Sequence, residues 1–189
     1  MRPEAPAGCT TSAGPTIHQQ TPKPAWRVQF NAVDLALYRR VRLLAHSPDH
    51  VTWVRRYSYL GEHGAIWLAT GATAALVDRR RRGRWLRATA SIGAAYATST
   101  SIKLAVGRKR PAIEDLPHLM ATPTGLSFPS SHTTSSFAAA RAFGALIPGP
   151  PLQIAAAAMG LSRLYLGVHY PSDVAAGAAL GLAIGSLGR

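Results

Sequence analysis

Apolar residues along this chain of 189 residues gather into five runs cut apart by prolines, charges and polar clusters. The runs are Leu60–Val77, Trp85–Val106, Ser131–Ile147, Leu152–Val168 and Ser172–Leu187. Each has about the length a helix needs to cross ~30 Å of hydrocarbon at 1.5 Å per residue, several at the short end. They are rich in alanine and glycine rather than leucine. Gly177, Gly181 and Gly185 recur at a spacing of four on one face of the last run, a stripe that lets membrane helices approach closely.

Upstream, Val28–His46 carries Val33, Leu37, Val41 and Leu44 at helical spacing, interrupted by Asp34, Arg39, Arg40 and Arg42. A charge near a bilayer centre costs roughly 2.5–3.5 kcal/mol on insertion scales, so four of them argue against a span. A basic amphipathic helix lying on the membrane surface is expected instead, with packing on a soluble core as the alternative. Residues 1–27 hold prolines, threonines and glutamines with almost no apolar pattern and read as a disordered tail. The expected architecture is therefore all-α: an integral membrane helical bundle of about five transmembrane helices plus an N-terminal interfacial amphipathic helix. Residues 28–189 form its one domain, and a soluble alanine-rich bundle is the competing architecture.

Charge sharpens this picture. Only 15% of residues are charged, against a typical share of about 25%, although the mean hydropathy is just +0.04. The formal charge of +13 allows nucleic acid, anionic lipid or a phosphorylated substrate as partner. Arg79, Arg80, Arg81, Arg82, Arg84 and Arg87 crowd the connection between the first two runs, which places it in the cytoplasm. No aromatic interleaving for base stacking accompanies them, so no nucleic acid partner is expected. Alternation then sets residues 107–130 and 169–171 together on the outer side, where Arg108, Lys109 and Arg110 make sense if they bind a ligand. The single cysteine, Cys9, excludes a disulfide framework within the chain and a cysteine-rich zinc site. Ala7-Gly8-Cys9 has the look of a lipoprotein cleavage box, but no apolar segment precedes it and no signal peptide is expected.

Chemistry-bearing residues converge on that outer side. The second run ends in Lys103, with Arg110-Pro111 beyond it. The third begins at Pro129-Ser130-Ser131-His132, and the fourth ends in Ser162-Arg163, followed by His169 and Asp173. Such a set suits phosphoryl transfer, in which catalysis is mainly positioning and stabilisation of charge on the equatorial oxygens. Lys103, Arg110 and Arg163 supply a positive clamp, and Ser130 and Ser131 open a helix whose free N–H groups favour an anion. Two histidines allow one to attack phosphorus while the other protonates the leaving oxygen. Asp173 can accept from the far ring nitrogen of a histidine and fix its tautomer.

Lys103-x6-Arg110-Pro111, Pro129-Ser130-x-His132 and Ser162-Arg163-x5-His169-x3-Asp173 together resemble the type 2 phosphatidic acid phosphatase superfamily, whose fold is shared with vanadium haloperoxidases. The resemblance runs from Leu60 to the C-terminus. It implies that His169 is the nucleophile forming a phosphohistidine, that Asp173 orients it and that His132 is the general acid. Lys103, Arg110, Ser130, Ser131 and Arg163 would bind phosphate, with no metal and no cofactor. One departure is Ser131, which stands where the family usually has glycine; a left-handed backbone there would be costly. A narrower likeness, in "GEHGAIW" and "SRLYLGVHYPSDVAAG", is to actinobacterial enzymes that remove the 5-phosphate from decaprenylphosphoryl-5-phosphoribose on the route to arabinan.

The resemblance implies a multi-pass enzyme of the cell membrane with its active site on the extracytoplasmic side. Its partners would be a lipid-linked phosphate substrate and membrane lipids. Alternatives are hydrolysis of a polyprenyl diphosphate or of phosphatidylglycerolphosphate, a soluble vanadate-dependent haloperoxidase, and a basic lipid- or nucleic-acid-binding protein without catalysis. Glu62 and His63 open the first run on the active-site side, as contacts to substrate hydroxyls or as interfacial anchors. Arg141, inside the third run, is expected to snorkel or pair within the bundle. Glu114, Asp115 and His118 lack metal-site spacing and are assigned to solvent or a lid.

Overall fold

The computed structural model describes residues 25–44 and 47–189, so the expected tail lies outside the described residues up to residue 24. Seven α-helices carry the described fold: α1 Ala25–Arg42, α2 Pro48–Leu60, α3 Ala65–Val77, α4 Arg82–Val106, α5 Ser131–Phe143, α6 Gly149–Tyr165 and α7 Pro171–Ser186. Local chemistry sets many of their ends. Ser47 accepts the His50 N–H and Pro48 occupies the first turn of α2, where proline loses no helical hydrogen bond. Gly107, at φ 63°, ends α4 in the left-handed conformation. Tyr170 and Asp173 cap the start of α7 reciprocally, with Pro171 at its first position.

α5 is the central helix, buried almost continuously from His132 to Phe143. Its alanines, with Trp67, Trp85, Ile92 and Phe143, make the main apolar core. The Trp85 and Phe143 rings lie 5.2 Å apart. Trp67 Nε1 donates to Ser136 Oγ at 2.9 Å and Trp85 Nε1 to Asp78 Oδ2 at 3.1 Å, so neither indole is buried unsatisfied. The small-residue stripe does what its spacing predicts. A Cβ at Gly177 would stand 2.7 Å from the Ser130 carbonyl oxygen and one at Gly185 2.6 Å from that of Ala138. Gly181 meets the Thr134 carbonyl more closely still. α7 therefore lies directly on the backbone of α5.

Five helices follow Leu60, matching the five runs in number and order, though the helices are shorter or more polar than the runs suggest. Among the described residues no helix is long and apolar enough to cross a membrane. α3 and α5 hold 13 residues each and α7 holds 16, about 20–24 Å at 1.5 Å per residue. α4 has 25 residues, but arginines and hydroxyl side chains dilute it. The run at Leu60 also starts late, because Glu62–Gly64 form a 3₁₀ turn in which His63 (φ 53°) and Gly64 (φ 70°) are left-handed.

α1 is amphipathic as expected, with its faces exchanged. Asp34, Tyr38 and Arg42 are buried, while Val33, Leu37 and Leu44 are exposed. The polar residues find partners on the body of the protein: the Tyr38 hydroxyl donates to the Gly167 carbonyl at 3.2 Å, and Arg42 Nη1 to that of Tyr165 at 3.0 Å. Burying polar groups is tolerable when each is hydrogen-bonded. The apolar face is thereby left outward.

Candidate active site

Four helix ends and one turn meet above the core: the C-termini of α4 and α6, the N-termini of α5 and α7, and the turn before α3. Between them lies a pocket of about 140 Å³ that includes Glu62, Lys103, Arg110, His132, Arg163 and His169 in its wall. Residues 66 positions apart in sequence, Lys103 and His169, thus serve one small volume.

His169 is 1% exposed, in the turn between α6 and α7. Its Nε2 lies 3.1 Å from Arg110 Nη1 and its Nδ1 3.5 Å from Asp173 Oδ2. A guanidinium can only donate, so Nε2 must accept; the ring proton then sits on Nδ1, toward the carboxylate. That is the tautomer a nucleophilic Nε2 needs. Burial first, then the charges of Arg163, Arg110 and Lys103, hold the imidazole well below its ordinary pKa. It stays neutral.

His132, the second residue of α5, is also buried, with Nε2 3.5 Å from Glu62 Oε2. The neighbouring His132 ring is the main reason the Glu62 carboxyl titrates below its ordinary value. Arg163 is 2% exposed; Nη1 donates to Ser58 Oγ and lies 3.2 Å from Met120 Sδ. Lys103 Nζ makes a long contact, 3.5 Å, to the Ser127 carbonyl oxygen. Arg110 Nη1 also donates to the Val168 carbonyl oxygen at 2.7 Å, which fixes its head at the pocket rim. His132 Nε2 and Arg163 Nε are buried without a hydrogen-bond partner, while His169 Nδ1 is turned to the Asp173 carboxylate. Orphaned donors around a cationic pocket call for an anion with several acceptor oxygens.

Not every expected residue reaches the pocket. Ser131 does, and its hydroxyl shares a 3.0 Å hydrogen bond with that of Ser99. Its backbone is helical, since His63 is the one non-glycine residue at positive φ among those described, so the feared strain at Ser131 is absent. Ser130 turns away: its hydroxyl accepts from Thr133 Oγ1 at 2.9 Å, and its N–H donates to the Asp173 carbonyl at 3.0 Å. It braces α5 against α7. His63 lines the pocket with a largely exposed ring, edge-on to Tyr96. Asp115 pairs with Arg39 at 3.1 Å and His118 with the Pro111 carbonyl, both outside the pocket. The carbonyl of Arg141 accepts from Arg189 at 3.1 Å.

Residues in supporting positions that the sequence does not assign stand behind the site. Arg108 Nη1 donates to Asp173 Oδ1 at 2.9 Å, and Ser58 from α2 supports Arg163. Asp173 itself is fully buried, with Oδ2 accepting the Tyr170 N–H at 2.8 Å. For α2 a signal exists in Ser47-Pro48-Asp49, a helix-start pattern. Arg108 reads in the sequence as a ligand contact beside Lys109 and Arg110, yet its guanidinium is taken up by the distant Asp34 and Asp173.

The model of the PAP2 superfamily matches residues 84–188. A decaprenylphosphoryl-5-phosphoribose phosphatase of Mycolicibacterium smegmatis is 43% identical over 136 residues, 71% of this chain and 74% of that protein. Among solved structures, Aquifex aeolicus LpxE superposes with a TM-score of 0.72 at 26% identity, over 82% of this chain and 94% of that one. A transmembrane PAP2-type phosphatidylglycerolphosphate phosphatase from Bacillus subtilis gives a TM-score of 0.71 at 22% identity, over 85% and 84%, a likeness of fold.

Proposed function

The chain belongs to the PAP2 superfamily and is a phosphatase of lipid phosphates; on that premise we propose that it removes the phosphomonoester of decaprenylphosphoryl-5-phosphoribose. The substrate is the one named for its Mycolicibacterium relative, which matches across most of both chains. One observation carries the chemistry: two buried imidazoles, each with a carboxylate oxygen at 3.5 Å, share a pocket with Lys103, Arg110 and Arg163.

In the proposed reaction His169 Nε2 attacks phosphorus, the P–O ester bond breaks, and His132 gives its proton to the leaving sugar oxygen. Water then attacks the phosphohistidine while His132 takes up its proton, releasing phosphate and free His169. Lys103, Arg110 and Arg163 bear the charge on the equatorial oxygens, so no metal ion is required. The Ser131 hydroxyl adds a donor at the pocket wall. Glu62 and His63 line the side where the leaving ribose would sit and are assigned to its hydroxyls.

The bundle is proposed to lie in the cell membrane as a multi-pass protein. Support comes from large apolar side chains left outward on several helices, among them Leu76, Leu86, Leu104, Ile154, Leu161 and Leu182. The exposed arginines from Arg79 to Arg87 lie at the end away from the pocket and are assigned to the cytoplasmic face. The pocket then opens on the extracytoplasmic side.

Released phosphate from detergent-solubilised protein tests the substrate. Decaprenylphosphoryl-5-phosphoribose should be turned over faster than a polyprenyl diphosphate, phosphatidylglycerolphosphate or lipid A. Preference for any of the last three would replace it.

A further inference from the structure

We infer that Asp34 on α1 and Arg108 in the α4–α5 connection are positioning residues that set the charge and orientation of Asp173. Helix α1 would then be a working part of the active site, although it precedes the residues matched by the superfamily model. The inference rests on His169 being the nucleophile, as proposed above.

The contacts form one continuous chain. Asp34 is 4% exposed; its Oδ1 accepts the Ser172 N–H at 2.9 Å. Its Oδ2 accepts from Arg108 Nη2 at 2.7 Å and from the Ser172 hydroxyl. The other end of the same guanidinium, Nη1, donates to Asp173 Oδ1 at 2.9 Å and to Ser172 Oγ at 2.7 Å. Arg108 is stacked 4.2 Å over the Tyr170 ring, which fixes its plane. Asp173 is left with Oδ2 as the oxygen that faces His169.

Charge explains why two carboxylates are needed. A fully buried Asp173 facing a neutral imidazole would be an isolated charge, and such charges are strongly disfavoured. Arg108 removes that penalty. An Arg108–Asp173 pair alone, however, is neutral and has little left to offset the positive charge that grows on His169 as Nε2 bonds to phosphorus. Asp34 restores one net negative charge to the cluster, at a distance where low dielectric leaves it effective. Lys103 and Arg110 add positive charge around Asp173 and His169 from the other side, which increases the need.

The test uses the full chain in detergent with Asp34→Asn, which keeps an acceptor for the Ser172 N–H and removes the charge. The double variant D34N/R108Q is its partner. The melting temperature of each is measured first. With the lipid substrate, D34N should lower kcat roughly 10- to 100-fold while KM stays within about twofold. The double variant restores a net negative cluster and should recover part of that loss, which a merely structural role for Asp34 would not produce. Orthovanadate binding, followed by ⁵¹V NMR, supplies a readout independent of turnover: affinity should fall about tenfold or more in D34N and partly return in D34N/R108Q. Parental kcat and vanadate affinity in D34N, or a double variant no better than D34N, would overturn the inference. If the parent chain bound vanadate yet hydrolysed no lipid, the substrate reading would fall and the vanadate ratios would still decide this one. A parent chain that bound no vanadate would sink both.

Discussion

Arg110 Nη1 points a hydrogen at His169 Nε2 across 3.1 Å, which leaves that nitrogen bare and the ring proton on Nδ1. The same guanidinium is anchored by the Val168 carbonyl, so the donor that fixes the tautomer is itself fixed. A phosphate arriving at the pocket would meet Arg110 beside the imidazole nitrogen it polarises.

The pH profile should reflect this environment. Burial and neighbouring cations hold His169 well below its ordinary pKa, about 6.5. In the proposed reaction the neutral form attacks, and protonation sets in only once the pH falls to that lowered value. The acid limb of kcat/KM should accordingly lie well under pH 6.5, measured by phosphate release in detergent. An acid limb at or above 6.5 that belongs to His169 would contradict the buried geometry.

Stability should be sensitive to the α5–α7 contact. A methyl group at Gly181 would collide with the Thr134 carbonyl, a backbone atom that cannot turn aside. Gly181→Ala is expected to cost about 1–3 kcal/mol and to lower the melting temperature by several degrees. Gly93, in α4, has open space where its Cβ would go. Gly93→Ala should be neutral or stabilising, since alanine favours helix. Equal effects at both sites would show that packing is not what the stripe provides.

The gathering of the candidate residues was largely legible because they occupy fixed spacings at helix ends. Lys103, Arg110, His132, Arg163 and His169 all reach the pocket wall. Ser130 reads identically in sequence but is drawn off by Thr133 and α7, a choice made by packing. Asp34 looks like an interruption of an apolar stripe, because its partner Arg108 is 74 positions away. Burial turns that interruption into the inner face of α1. Helix number after Leu60 follows from the apolar runs. Helix length does not, since the left-handed pair His63 and Gly64 delays α3 in a way hydropathy alone does not register.

Chelation should leave activity intact. Lys103, Arg110 and Arg163 already surround the pocket with positive charge, the role a metal ion would otherwise fill in stabilising equatorial oxygens. Phosphate release should be unchanged after dialysis against EDTA. Loss of turnover restored by Mg²⁺ or Zn²⁺ would assign the clamp to a metal instead.

The two histidines should fail differently. If His169 forms the bond to phosphorus, His169→Ala removes the covalent route and should abolish turnover with every substrate. His132, as proton donor, matters in proportion to how poor the leaving group is. General acid catalysis is typically worth ~10²–10⁴-fold, and the benefit shrinks as the leaving-group pKa falls. His132→Ala is therefore expected to keep measurable activity on an activated aryl phosphate while losing the natural alkyl ester. In that variant a phosphohistidine at His169 can still form, and rapid quenching should trap a base-stable, acid-labile label there. Both imidazoles are buried in one pocket with a carboxylate oxygen at 3.5 Å, so simple loss of packing would affect them alike. Equal and total loss in both variants on both substrates, with melting temperatures preserved, would overturn the division of roles.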